Sequence, residues 1–282
     1  MNRGYRYEEI ASADRALLDH LARHAHSDRA TWAERIVAGE VSVDGKRATA
    51  DAKVRAGQTI AWEKPPWEEP SADLTYAVLY EDGSLLAVDK PAGLPTLPGG
   101  GFLEHTLLAV VQARTPGAIP MHRLGRGTSG VVLFTKDAET ASAVQRAWTD
   151  VEKIYRALVV GTPALGVIDV PIGLVPDRIV GQLYAASASG KKARSHVTAV
   201  RNSIVEVRIE TGRPHQIRIH LAAVGNPLVG DPLYGVGGIR AEGSTARPGD
   251  VGYHLHAWKL ALAHPRTHER IAIEAPLPVS LR

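Results

Sequence analysis

The sequence predicts an α+β protein, with a small amino-terminal module followed by a larger domain built on a mostly antiparallel sheet. Three observations carry this expectation. Runs of strand composition outnumber helical ones and do not alternate with them, as they would in a doubly wound parallel sheet. The stretch EKPPWEEPSA, residues 63–72, gathers three prolines and three glutamates and interrupts both patterns, so it reads as a linker between 1–62 and 73–282. A chain of 282 residues that is 44% hydrophobic has enough apolar material for two unequal cores.

In the module, Asp14 to Ala25 sets Leu17, Leu18 and Leu21 at helical spacing, and Ser27 is placed to cap a second helix that runs through Val37 and stops at Gly39. Val41 and Val43 followed by Asp44-Gly45 predict a hairpin, closed by a strand from Gln58 to Trp62. In the larger domain the strand-like runs are Tyr76 to Tyr80, Ser84 to Val88, Gly130 to Thr135, Tyr155 to Val160, His196 to Val200, Ile204 to Glu210 and His254 to Leu262. Helices are expected from Ala138 to Trp148, and from His215 to Val224 after Pro214. Gly235 to Gly252 is glycine-rich without an apolar period, which predicts a surface loop.

The absence of cysteine excludes disulfides, thiolate nucleophiles and Cys-based zinc sites. Nowhere do 18 apolar residues run together, and MNRGYRYEEI carries two acids where a secretory signal needs an apolar core, so a cytoplasmic protein without membrane contact is expected. Gly125-Arg126-Gly127-Thr128-Ser129-Gly130 has the letters of a dinucleotide fingerprint, but a strand follows it instead of a helix, so no nucleotide cofactor is expected. Ser189-Gly190-Lys191-Lys192 lacks the earlier glycine of a phosphate loop and reads as a basic turn. His24 with His26 and His254 with His256 are candidate pairs, but the latter would share one side of a strand with no nearby pair of carboxylates to complete a ligand set, and no metal is expected. Between Lys191 and His220 stand seven Lys or Arg against two Glu, a stronger excess than the +3 of the whole chain. Arg213, His215, Arg218 and His220 crowd together within it, a composition suited to phosphate recognition.

Five blocks resemble the RluA-type, ribosomal large-subunit family of RNA pseudouridine synthases. They are VDKPAGLPTLPG at 88–99, MHRLGRGTSGVVLFTKD at 121–137, EKIYRALVVG at 152–161, ETGRPHQIRIHLAAVGNPLVGDPLYG at 210–235 and HLHAWKLALAHP at 254–265, and the resemblance runs from about Tyr76 to Pro276. The stretch WAERIVAGEVSVDGK is similar to the small RNA-binding domain first known from ribosomal protein four of the small subunit. The resemblance implies a pseudouridine synthase fold with a mixed, mostly antiparallel central sheet and a small helix-and-hairpin RNA-binding domain. It implies a cofactor-free isomerase, expected as a monomer, in which a uridine of ribosomal or transfer RNA is flipped out, its glycosidic bond broken and the uracil rejoined through carbon 5. By the same resemblance Tyr155 stacks on the base and accepts a proton, and Arg213 pairs with the carboxylate that follows HRL. His122, Arg123, Arg126, Lys191, Lys192, Arg194, His215 and Arg218 are expected to contact RNA.

At the position of that carboxylate this chain has Gly125. A glycine offers no acid, base or nucleophile. Asp89, Asp137 and Asp231 are the acids within the matching blocks, and Gly125→Asp is expected to set a carboxylate opposite Arg213. Two readings follow: a synthase that draws its carboxylate from elsewhere, or a homologue that binds RNA after its chemistry has lapsed.

Overall fold

The computed structural model describes residues 1–23 and 29–282, so Ser27, His24 and His26 lie outside the described residues. The chain forms two compact units, Met1–Glu69 and Pro70–Arg282. In the first, β1 (Tyr5–Ile10), β2 (Arg15–Ala16), α1 (Leu17–Leu21), α2 (Arg29–Ala38), β3 (Val41–Val43), β4 (Lys46–Arg47), β5 (Lys53–Val54) and β6 (Thr59–Lys64) follow in order. Strand β6 pairs antiparallel with both β1 and β3. The expected hairpin is the β3–β4 pair, turned by Asp44 and Gly45 at φ 49° and 75°, the left-handed pair that suits the twist of two strands. Leu17, Trp32, Ile36, Val41 and Ile60 make the core, with Trp32 edge-on to Trp62.

Two expectations for this unit need correction, and one strand was not foreseen. The helix does not begin at Asp14: Arg15 and Ala16 pair with β5, and the Asp14 carboxylate accepts the Ala56 N–H, so the backbone is already committed to a bridge. Strand β1 has no counterpart in the sequence reading, because its residues alternate Tyr with charged groups and its partners in β6 lie 49 to 59 residues away. The linker starts later than position 63, since β6 continues through Lys64 and the division between units falls after Glu69.

The second unit carries β7 (Ala77–Glu81), β8 (Leu85–Lys90), α3 (Leu107–Arg114), β9 (Ile119–Pro120), β10 (Ser129–Thr135), α4 (Ala138–Arg146), β11 (Glu152–Leu158), β12 (Gly166–Ile168), β13 (Ile172–Asp177), β14 (Gly181–Ala186), β15 (Ser195–Arg201), β16 (Ile204–Ile209), α5 (Gln216–Ala223), β17 (Tyr234–Gly235), β18 (Ile239–Arg240), β19 (Leu255–Ala263) and β20 (Arg270–Glu274). Its main sheet runs in the order β12-β15-β16-β11-β19-β10-β8-β7, with β20 beside β19 and β9 beside β10. The pairings are antiparallel except β10 with β19, which is parallel. Both faces are covered. Leu86 and Val88 of β8, and Val132 and Phe134 of β10, pack on one side with Leu107 and Val111 of α3 and Ile217 and Leu221 of α5. Leu85, Ala87, Val131 and Leu133 pack on the other with Val144 of α4. Two-sided burial explains why β8 and β10 are continuous apolar runs without alternation.

Sequence patterning missed α3, the β13–β14 hairpin and β20. Helix α3 is apolar over most of its length and lacks a polar face to betray a period. The glycine-rich 235–252 stretch is mostly loop, with the short β17–β18 pair at its start.

Because β10 and β19 are parallel, the segments leading into them emerge at the same end of the sheet. Their contact spans Ser129 opposite His256 and Gly130 opposite Ala257. Gly130 has φ 107°, and a Cβ there would fall inside the Ala257 carbonyl. Gly130→Ala is therefore expected to lower the stability of the large unit by at least about 3 kcal/mol, read as a fall in its melting transition; an unchanged transition would show that the strands can separate without cost.

Candidate active site

Where those lead-ins meet, residues 95–100 with Phe102, 123–126, 212–215 with Arg218, and 247–250 with Tyr253 line a cleft of about 700 Å³. Its floor is fixed by a buried cation. Lys90, fully buried at the end of β8, donates through Nζ to the carbonyls of Pro91 (2.8 Å), Leu94 (2.6 Å) and Arg126 (3.4 Å). Burial pulls its ammonium down to about 7, opposed by the neighbouring Asp89 carboxylate. Thr96 Oγ1 donates to the Leu124 carbonyl and accepts the Leu124 N–H, and Gly93 N–H donates to the Arg126 carbonyl. The loop holding Gly125 is thus tied to the 90–96 segment at three points.

Helix α5 supplies the facing wall. His215, its N-cap, takes φ 57° and turns the chain out of the Thr211–Pro214 segment. Tyr234 Oη donates to the Tyr184 carbonyl, so the His215 Nδ1–H donates to Tyr234 Oη at 2.7 Å. Burial and the nearby Arg218 pull that imidazole down to about 3, and it is neutral at pH 7. Arg218, 3% exposed, grips Asp231 with two bonds of 2.8 and 2.7 Å, and Asp231 also accepts the N–H groups of Leu233 and Tyr234. The guanidinium lies 4.1 Å from the Tyr253 ring centre and 4.9 Å from that of Tyr234. Arg218 lines the cleft as a cation whose charge is already matched.

The sequence-predicted residues divide. Gly125, Arg123, Arg126, Arg213, His215 and Arg218 line the cleft. Arg213 is half-buried and donates Nε to the Lys192 carbonyl at 3.0 Å; among the described residues it has no carboxylate partner. Tyr155 does not line the cleft: it is 9% exposed on β11, opposite Val207 and Ala257, and burial pushes its phenol up to about 12. It belongs to the apolar cluster that also contains Leu124 and Tyr253. His122 is turned away, since its Nε2 accepts the Leu133 N–H and its ring lies 5.3 Å from that of Trp148. Lys191, Lys192 and Arg194 do not line the cleft either; Lys191 bridges to Ile172 through its backbone and Arg194 pairs with Asp169.

The three acids weighed as stand-ins for the missing carboxylate are engaged elsewhere. Asp137 caps α4 and meets Arg266, Asp231 belongs to Arg218, and Asp89 lies opposite Val131 within the sheet. The cleft's own carboxylate is Asp250, whose Oδ2 accepts the Arg247 N–H in a turn. Sequence reading missed it, and Tyr253 beside it, because the 235–252 stretch carries no period; the only signal was the block that starts at His254. A Cβ at Gly125 would lie 3.1 Å from Tyr253 Oη and 3.6 Å from Thr128 Oγ1, so Gly125→Asp requires the tyrosine to move, contrary to the simple placement expected opposite Arg213.

Residues 84–223 match the family model described as RNA pseudouridylate synthase. A protein of Synechocystis sp. named as an uncharacterized RNA pseudouridine synthase is 42% identical over 275 residues, covering 92% of either chain. The chain belongs to the RNA pseudouridine synthase family. Within it, this synthase is also similar to the ribosomal large subunit pseudouridine synthase D of Nitrosomonas europaea, at 35% identity over 94% of this chain and 80% of the relative. The structure of human RNA pseudouridylate synthase domain containing 1 shares the fold, with a TM-score of 0.59 at 24% identity over 76% of this chain and 89% of the human one.

The synthase holds several imidazoles neutral. Burial pulls His256 to about 4, and burial together with the charge of Lys153 pulls His122 to about 4. An unfolded chain takes up these protons near the ordinary value of 6.5, so the stability they permit is complete above 6.5 and is lost as pH falls toward 4. The large unit is expected to melt progressively lower over that window in calorimetry, and His256→Gln is expected to flatten the slope. A melting temperature independent of pH there would refute this.

Proposed function

We propose that the chain converts uridine to pseudouridine in ribosomal RNA, with the cleft receiving the flipped nucleotide. The observation that carries this reading is the charge of the cleft: Arg123, Arg126, Arg213, Arg218 and Arg247 surround it against, among the described residues, the single carboxylate of Asp250. Of these, Arg218 is neutralised by Asp231, whereas Arg123 and Arg247 are exposed and suited to backbone phosphates. A cleft of about 700 Å³ has room for one extruded nucleotide. The large-subunit relative supports ribosomal RNA as the target over transfer RNA.

In this reading Arg213 lies free to meet a phosphate or the developing charge on the uracil, and Tyr155 supports the pocket from within the core instead of stacking on the base. The unit Met1–Glu69 adds RNA affinity through its exposed basic residues, among them Arg47 and Arg55. The enzyme needs no cofactor and acts in the cytoplasm as a monomer. The lapsed reading rests on Gly125 alone, and the turnover assay below separates it from the synthase reading.

Incubated with total RNA from cells lacking the protein, the wild type is expected to raise the pseudouridine content of large-subunit ribosomal RNA, measured by mass spectrometry. Arg213→Ala is expected to reduce kcat/KM by about a hundredfold or more, the loss typical of a charged group acting on the transition state. Binding to ribosomal RNA fragments, followed by fluorescence anisotropy, should weaken by about tenfold or more between 50 and 200 mM salt as counterion release loses its driving force. No gain of pseudouridine in any RNA would overturn the reading.

A further inference from the structure

Gly125 leaves open which group works on the ribose, and the structure offers one at that place. Tyr253 stands two residues before β19, and its ring lies across the 125–128 loop. A Cβ built on Gly125 would be 3.1 Å from the phenol oxygen, and one on Gly127 would be 2.9 Å from Cζ and 3.0 Å from Cε1 of the same ring. Gly125 does not have a left-handed φ, so the backbone does not require glycine there. The ring occupies that side of the loop: a side chain at 127 would overlap it, and one at 125 would press on its hydroxyl. The phenol oxygen is therefore about one side chain's reach from the loop backbone, where the head of a short acidic residue at 125 would lie.

The ring is also held firmly. It is 6% exposed, its hydroxyl is 3.3 Å from Thr128 Oγ1, and its face is covered at 4.1 Å by the guanidinium of Arg218, itself fixed by Asp231. An immobile oxygen at the cleft wall with a fixed cation beside it is the arrangement expected of a nucleophile, in which the side chain loses no further freedom on reaction. Tyrosine is known to fill this role in glycosidic chemistry.

We propose that Tyr253 is the nucleophile of this chain, its phenol oxygen replacing the side chain that Gly125 lacks. This rests on the synthase reading above. The phenol gives its proton to water and its oxygen attacks C1′ of the flipped uridine; the N1–C1′ bond breaks and its electron pair stays on the uracil. The uracil turns, C5 attacks C1′, and the C1′–O bond returns its pair to the tyrosine. The C5 proton is lost to water, N1 and the phenolate each take one up, and no other reactant is consumed.

The test compares wild type with Tyr253→Phe, which keeps the ring and removes only the oxygen, on RNA from cells lacking the protein. Pseudouridine formation is expected to fall at least about a thousandfold, while RNA affinity stays within about threefold and the melting transition is retained. During wild-type turnover, acid quenching and peptide mass spectrometry should find RNA attached at Tyr253. An active Tyr253→Phe protein overturns the assignment while leaving the synthase reading intact, and loss of activity in Asp250→Asn but not in Tyr253→Phe would move the role to that carboxylate. No wild-type turnover removes the synthase reading itself and this assignment with it. Should Tyr253→Phe fail to fold, Gly125→Asp/Tyr253→Ala replaces it: activity regained over Tyr253→Ala supports the shared position, and none overturns it.

Discussion

The two-residue parallel contact between β10 and β19 is the constraint on which the active site depends. Antiparallel pairing would send the lead-ins of the two strands to opposite ends of the sheet. Parallel pairing brings the 122–128 loop and the 247–254 segment together, although about 120 residues separate them. The contact is short because β10 turns toward β8 and β19 toward β11, each of which carries a longer antiparallel ladder. Glycine at 130 permits the approach, and the close fit of Tyr253 over Gly125 and Gly127 follows from it.

Fixed charge then does what geometry alone does not. The cleft is bordered by two deeply buried cations treated in opposite ways: Lys90 is wrapped in backbone carbonyls and its ammonium is held down toward neutral pH, whereas Arg218 is neutralised by a carboxylate that is itself 1% exposed. Burying either charge without partners would cost several kcal/mol. With partners, each becomes a rivet: Lys90 fixes the loop that carries Gly125, and Arg218 fixes the tyrosine above it. Both are held by hydrogen bonds in the free protein, so the site carries oriented polar groups before any substrate is bound.

The legibility of the sequence follows the same division. Local signals were readable: the Asp44-Gly45 turn, the helix stop at Gly39, the strands β8, β10, β15 and β16, and α5 all correspond to short-range patterns of apolar spacing or turn residues. Elements that depend on distant partners were not. Strand β1 has the composition of a solvated arm until β6 is beside it, and α3 shows no period because apolar groups run along most of its length. The site divides likewise. The 125, 213 and 218 positions stand in dense blocks and could be found, but whether Arg218 is free or neutralised depends on a residue 13 positions away, and the burial of Tyr155 depends on strands from both sides.

Gly125 shows the limit most clearly. As a letter it reads as a loss, because a side chain with catalytic chemistry is absent where the resemblance requires one. In three dimensions the same glycine is a complement: with Gly127 it provides the flat backbone against which an aromatic ring can lie. The two glycines and the tyrosine form one packing unit spread over two segments: a Cβ at 127 would meet the ring at 2.9 Å, and one at 125 would meet its hydroxyl at 3.1 Å. A carboxylate at 125 with Tyr253 in place would press on the phenol, and Tyr253 removed with Gly125 in place would open a void beside Arg218, stripping the guanidinium of the ring that covers it. The loop and the 247–253 segment are therefore coupled through one contact, and the chemistry within reach of position 125 includes the phenol that faces it.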